Sequence, residues 1–162
     1  GRLRDAFTGQ AMPPAAAALP DRPGPHMIET CRAVVQQWET THHGWAPPRF
    51  YFGGFSAGAQ RLLAVAGLDP ATMKRERIGN AALDYRVRYG RGLRAGETVL
   101  VHSGPLAVTD RNWTFGHVMT AADGGEFLAS AAVFNTLFDL DARKGIPLPA
   151  GMASKLAPYM PA

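Results

Sequence analysis

Two stretches in the first half of the chain hold side chains that can do chemistry. Glu39 and Thr40 lead into Thr41-His42-His43-Gly44-Trp45-Ala46-Pro47-Pro48, so a carboxylate and two imidazoles fall within five consecutive positions. An imidazole titrates near pH ~6.5 and can take a proton from water at neutral pH, while a carboxylate beside it holds the ring in the productive tautomer. His43 or His42 as base with Glu39 orienting it is one reading of this loop; a pair of solvated histidines is the other. A metal centre is not expected. Neighbours in sequence rarely converge on one ion, and the single cysteine, Cys31, brings no partner thiol. The second stretch is GFSAG at 54–58, which matches the G-x-S-x-G nucleophile elbow. It would make Ser56 a nucleophile, with Asp84 or Asp110 and His117 completing a triad.

Which stretch matters depends on the elements that position them. If GFSAG is an elbow, residues 49–52 are a strand and a helix begins only at Ala59. If it is helical, the helix starts at Pro47 or Pro48, where a missing amide costs nothing, and runs to Ala66 before Gly67. Tyr51, Phe55, Leu62, Val65 and Ala66 then form an apolar face at helical spacing. Gly53, Gly54, Ala57, Gly58 and Ala59 leave one side almost bare, which lets a sheet approach closely.

The rest of the chain favours the helix. A first strand is expected at 28–38, a short Asp69-capped helix after Gly67, and then strands in a row: 84–89, 98–103, 112–119 and 127–140. Turns fall at 95–97, 109–111 and 122–126. The last strand is apolar on both faces, which suits a sheet interior or a subunit contact. Consecutive strands make an antiparallel sheet, whereas an elbow hydrolase needs helices between parallel strands. The spacing therefore predicts an α+β chain with a curved antiparallel sheet wrapped around one long helix.

Composition agrees with one packed domain. The chain has 162 residues, 46 % of them hydrophobic and 19 % charged. A net charge of +4 without a dense basic stripe argues against nucleic acid but leaves room for a basic rim facing a phosphorylated small molecule. No membrane span and no secretory signal are legible, and one cysteine excludes an internal disulfide, so a reducing cytoplasm is expected. Five prolines and a four-alanine run in residues 1–26 read as a tail or a linker to another domain, followed by a domain at 27–150 and a C-terminal tail at 151–162.

Four segments carry a family resemblance: Gly44-Trp45 with Tyr51 and then Phe55-Ser56; AGLD at 66–69; RAGETVLV at 94–101; and LFDLDARKGIPLP at 137–149. Over residues 32–149 the chain resembles the hotdog-fold acyl-CoA thioesterases, in the branch similar to 4-hydroxybenzoyl-CoA thioesterase, and is similar to the thioesterase domain fused to carnitine dehydrogenases. The resemblance implies an acyl-CoA or acyl-carrier substrate, no cofactor, a homo-oligomer (dimer or tetramer), and an active site in the loop before the helix. There the family uses a carboxylate, with backbone amides at the helix start stabilising the oxyanion.

Laid on this chain, that pattern puts Thr41 where the aspartate belongs, and Pro48 about where an amide donor belongs, although proline has none. Catalysis then falls to His43, His42, Glu39 and Thr41. Trp45, Arg49, Tyr51, Phe55 and Ser56 become the substrate-binding set, whose aromatic rings suit an aromatic acyl group or, by cation-π attraction, a quaternary ammonium. Lys74, Arg75, Arg77, Arg86, Arg88 and Arg91 lie within 18 positions, and the last three form the expected coenzyme A rim. Two other readings stand beside hydrolysis of a thioester: a catalytically silent hotdog module that binds a ligand and drives dimerisation, and the Ser56 hydrolase.

Overall fold

The computed structural model describes residues 19–161. One antiparallel sheet has the strand order β1-β3-β4-β5-β2, built from β1 (Ile28–Val34), β2 (Ile78–Tyr89), β3 (Thr98–Val108), β4 (Asn112–Ala121) and β5 (Phe127–Asp139). A short β6 (Lys144–Ile146) pairs with the end of β5 where β4 has stopped. Helix α1 (Pro48–Val65) lies across β1, β3 and β4. The expected α+β arrangement, one long helix against an antiparallel sheet, is what forms.

Helix α1 runs unbroken through Ser56, so the strand and tight turn of an elbow do not exist here. Pro48 opens the helix at its first position. The helix closes in a Schellman motif, with the Gly67 amide donating to the Ala64 carbonyl (3.0 Å) and the Leu68 amide to that of Leu63 (2.8 Å). Gly67 holds φ +89°, a conformation that costs glycine nothing. Helix α2 (Pro70–Arg75) follows, and the Asp69 carboxylate caps it through the Thr72 amide at 3.0 Å.

Three segments depart from the sequence reading. The first strand ends at Val34 rather than Trp38, because the chain turns into a 3-10 turn at Gln37–Glu39. Strand β3 continues past Ser103 through Pro105, since a bulge between Pro105 and Ala107 spares the ladder the amide that proline lacks. Residues 151–161 are no tail: α3 (Met152–Leu156) buries Met152 and Leu156 against Leu62, Leu63 and Trp113. Of the proline-rich segment, 1–18 lie outside the described residues, and 19–26 form bends and turns.

The bare side of α1 divides. Gly54 and Gly58 face the sheet, while Gly53 and Ala57 are exposed. A methyl group on Gly58 would stand 2.5 Å from Ser103 Oγ, 2.9 Å from Thr30 Oγ1 and 3.0 Å from His117 Nδ1. Nothing lies within 4 Å of the same position on Gly53. Gly58→Ala should therefore destabilise the protein by about 1–3 kcal/mol through overpacking against hydrogen-bonded neighbours. Gly53→Ala should be neutral or stabilising by up to ~1 kcal/mol from helix propensity. Denaturant melts of the two variants check the contrast, which depends only on which side of the helix each glycine occupies.

Candidate active site

The loop before α1 is held at both ends. Glu39 Oε2 accepts the Gln36 amide at 2.9 Å, which fixes the 3-10 turn. The loop then closes on itself: the Thr41 amide donates to the Trp45 carbonyl and the Gly44 amide to that of Thr41, both at 2.8 Å, with Gly44 at φ +78°. Trp45 bridges to Arg94, the Arg94 guanidinium lies 3.8 Å over the indole ring, and the Ala46 amide donates to the Leu93 carbonyl at 2.8 Å. This closure throws His42 and His43 to the exposed tip, where their rings lie 3.8 Å apart. Neither ring bonds to Glu39, whose carboxylate is held by the Gln36 amide instead.

Behind the loop is a cavity of about 300 Å³ between the start of α1 and the sheet. Cys31 and Ala33 on β1, Val99 on β3 and Met119 on β4 form its floor; Phe50, Gly53 and Gly54 on α1 form the opposite wall. Glu39 and Arg49 line the loop end, where Arg49 is exposed and its Nη2 donates to the Glu39 carbonyl at 3.1 Å. Val99 and Met119 are fully buried, so the cavity has an apolar interior and a charged mouth. Burial pushes the Cys31 thiol above its ordinary pKa, and Glu29 adds to the effect, so this sulfur is a packing group and a poor nucleophile. At the helix start Pro48 has no N–H and the Phe50 amide goes to the Pro47 carbonyl at 3.0 Å, leaving few free donors at the positive end of the dipole.

The other expected site residues are dispersed. Tyr51 and Phe55 are buried in the core; Tyr51 packs edge-on to Tyr89, and burial raises its phenol pKa. Ser56 is exposed in mid-helix. Asp84 pairs with Arg86 at 2.8 Å. Arg91 is held by Glu97 at 2.6 Å and Glu126 at 2.7 Å, and Arg88 lies over the Phe127 ring at 4.9 Å. Two of the three arginines of the expected rim thus already have carboxylate partners. Arg75 pairs with Glu76, and Arg77 with Asp141. The floor residues escaped the sequence reading because alanine, valine and cysteine carry no chemical signature. The available signal was geometric: Gly53 and Gly54 at the helix start, and small side chains alternating along β1.

His117 belongs to a different arrangement. Thr30 Oγ1 donates to the Val101 carbonyl at 3.1 Å, so in its 2.7 Å contact with Ser103 the serine is the donor. Ser103 Oγ must then accept from His117 Nδ1, also at 2.7 Å. The chain fixes the Nδ1–H tautomer of an imidazole stacked on Phe55. Nε2 has no hydrogen-bond partner, and burial depresses the ring's pKa from 6.5 to about 3. His117 is therefore neutral and structural at physiological pH, with neither Ser56 nor an aspartate at hand.

Sheet and helix together form a fold shared with solved thioesterases, and the family is given by the sequence. The chain belongs to the thioesterase-like superfamily, whose sequence model matches residues 35–156. Among solved structures it is similar to a Staphylococcus aureus hypothetical protein in complex with CoA (TM-score 0.76, 15 % identity, 91 % of each chain covered). It is also similar to a 1,4-dihydroxy-2-naphthoyl-CoA thioesterase from Synechocystis (TM-score 0.70, 15 % identity, 80 % of this chain and 95 % of that one). A third is a gentisyl-coenzyme A thioesterase (TM-score 0.69, 13 % identity, 78 % and 98 %). At these identities the likeness is one of fold. No curated protein matches the sequence. Among the described residues, no three His, Cys, Asp or Glu side chains group to hold a metal ion, and no helix is long and apolar enough to cross a membrane.

The buried imidazole sets an acid limit. Because its folded pKa lies below the unfolded value, the unfolded chain takes up the proton first, and the stability due to neutral His117 is complete only above pH ~6.5. It declines as pH falls from there toward 3, approaching about 1.4 kcal/mol per pH unit. His117→Phe should be less stable at neutral pH, because Ser103 loses a donor, but should have a flatter profile between pH 6.5 and 4. Chemical melts of both proteins across that range measure the difference.

Proposed function

We propose that this chain hydrolyses the thioester of a small acyl-CoA or carrier-bound acyl group, with the acyl group in the cavity and the thioester at its mouth between Glu39 and Arg49. The observation that supports this most is the cavity itself, an apolar space that ends in one carboxylate and one guanidinium. The CoA bound to one structural neighbour supports the same substrate class. In this reading Glu39 accepts a proton from a water as the water oxygen bonds to the thioester carbon. Arg49 offsets the charge on the carbonyl oxygen, a task the proline-blocked helix start is poorly equipped for. The C–S bond then breaks, and the proton held by Glu39 goes to the departing thiolate, giving a carboxylic acid and free thiol. Thr41 and the two histidines stand beside the mouth without facing the cavity. Arg88, which has no carboxylate partner among the described residues, is the arginine of the expected rim whose charge is left to meet a phosphate. The protein acts as a homo-oligomer in this account, because among the described residues β2 leaves one edge of a twelve-residue strand unpaired, with Leu83 and Tyr89 exposed along it.

The proline pair and Thr41 favour a second reading, a hotdog module that binds without turnover. Thiol release over a panel from acetyl-CoA to decanoyl-CoA and benzoyl-CoA separates the two. Hydrolysis predicts turnover of at least one member, a fall in kcat of ~10²-fold or more in Glu39→Gln with little change in KM, and near wild-type rates in His43→Ala. A comparable loss in His43→Ala would move the base to the histidine. Flat traces throughout, with hydrolysis gained in Thr41→Asp, would establish the silent module.

A further inference from the structure

We infer that the cavity selects an unfunctionalised hydrocarbon acyl group and rejects acyl groups carrying a hydroxyl, an inference that rests on the thioesterase reading of the same site. Apart from Glu39 and Arg49 at its loop end, the cavity is lined by Cys31, Ala33, Phe50, Gly53, Gly54, Val99 and Met119, which together present no side-chain oxygen or nitrogen. The backbone offers little more. Cys31 and Ala33 are paired to Val101 and Val99, Val99 and Met119 sit in the ladders of β3 and β4, and the amides of Gly53 and Gly54 lie within α1. A hydroxyl seated against Val99 and Met119, the fully buried part of the floor, would therefore lose its water and gain only a thiol, a weak hydrogen-bonding group.

The nearest polar groups on the same face of the sheet do not alter this. In the Thr30, Ser103 and His117 chain each proton is already donated, none of the three residues, the unpartnered His117 Nε2 included, lines the cavity, and Met119 Cε and Val101 Cγ2 stand against Gly54 on that side. The volume, about 300 Å³, lies at the lower end of the ~300–1,000 Å³ range of ligand pockets, so the hydrocarbon is short or a single ring.

The test compares substrates that differ only by a hydroxyl. On the wild-type protein, kcat/KM for benzoyl-CoA against 4-hydroxybenzoyl-CoA, and for hexanoyl-CoA against 6-hydroxyhexanoyl-CoA, should favour the unfunctionalised member by roughly tenfold or more. The same ratio should appear in the dissociation constants of S-hexyl-CoA and S-(6-hydroxyhexyl)-CoA, thioethers that bind without being cleaved. Val99→Thr, which places a hydroxyl in the floor, should narrow it. Thiol release with equal or inverted ratios would overturn the selectivity and leave hydrolysis standing. Thioether binding with the expected ratio but no thiol release would overturn hydrolysis and leave the selectivity standing. Failure of S-hexyl-CoA to bind would overturn both.

Discussion

The distance between helix α1 and the sheet is set by two glycines, and the core, the buried hydrogen-bond chain and the cavity all follow from it. At Gly54 the neighbour is the end of Met119, 2.9 Å from where a Cβ would be; at Gly58 it is the linked hydroxyls of Ser103 and Thr30 and the ring of His117. Each interior glycine costs a helix roughly 1 kcal/mol against alanine. Burial of Phe55, Leu62 and Leu63 from the same helix, at about 1.5–3 kcal/mol for each large apolar side chain, is of a size to offset that. The third glycine, Gly53, faces away from any neighbour, and the cavity lies beside it. Close approach and empty space are thus two results of one small-residue stretch.

The chemistry at the mouth follows from how the loop is tied. Two prolines fix where α1 begins and leave its first turn few free donors. Positive charge reaches the mouth through the Arg49 side chain, tethered by its bond to the Glu39 carbonyl. The Glu39 carboxylate is held separately, by the Gln36 amide. On the other flank, the stack of Arg94 on Trp45 and the Ala46 to Leu93 bond lock the loop to the segment before β3. The geometry at the loop end of the cavity is thus set by bonds to the loop's backbone, and the two histidines take no part in them.

The fold was legible wherever a period ran long enough. The helix declared itself through Tyr51, Phe55 and Leu62, and β4 and β5 through alternation and apolar content. The C-terminal helix did not, because Met152 and Leu156 are two apolar residues in a polar stretch and their burial is decided by Trp113 and Leu62 far away in sequence. The pairs Glu39 with His43 and Ser56 with His117 do not meet in the structure, for one reason. Adjacency in sequence or motif says nothing about the direction of a side chain, and here a self-closing turn and an unbroken helix point those groups apart. Glu39 was legible as a carboxylate in the right loop; that it faces a cavity depended on Cys31, Ala33, Val99 and Met119, which announce nothing by type.

The bulge in β1 links the buried histidine to the cavity. Glu29 opposes His102 and Cys31 opposes Val101, so Thr30 is an extra residue in the strand. Without it, regular alternation could not turn both Thr30 and Cys31 to the inner face. With it, Thr30 closes the hydrogen-bond chain to Ser103 and His117, and Cys31 and Ala33 fall into the cavity floor. A bulge costs ladder hydrogen bonds, and the bonds of Thr30 to Ser103 and to the Val101 carbonyl replace them in a site where an unpaired hydroxyl would be expensive. The polar chain under Gly58 therefore acts as a register pin: it holds β1 in the phase that presents small side chains to the cavity, and a slip of one residue would turn those side chains outward.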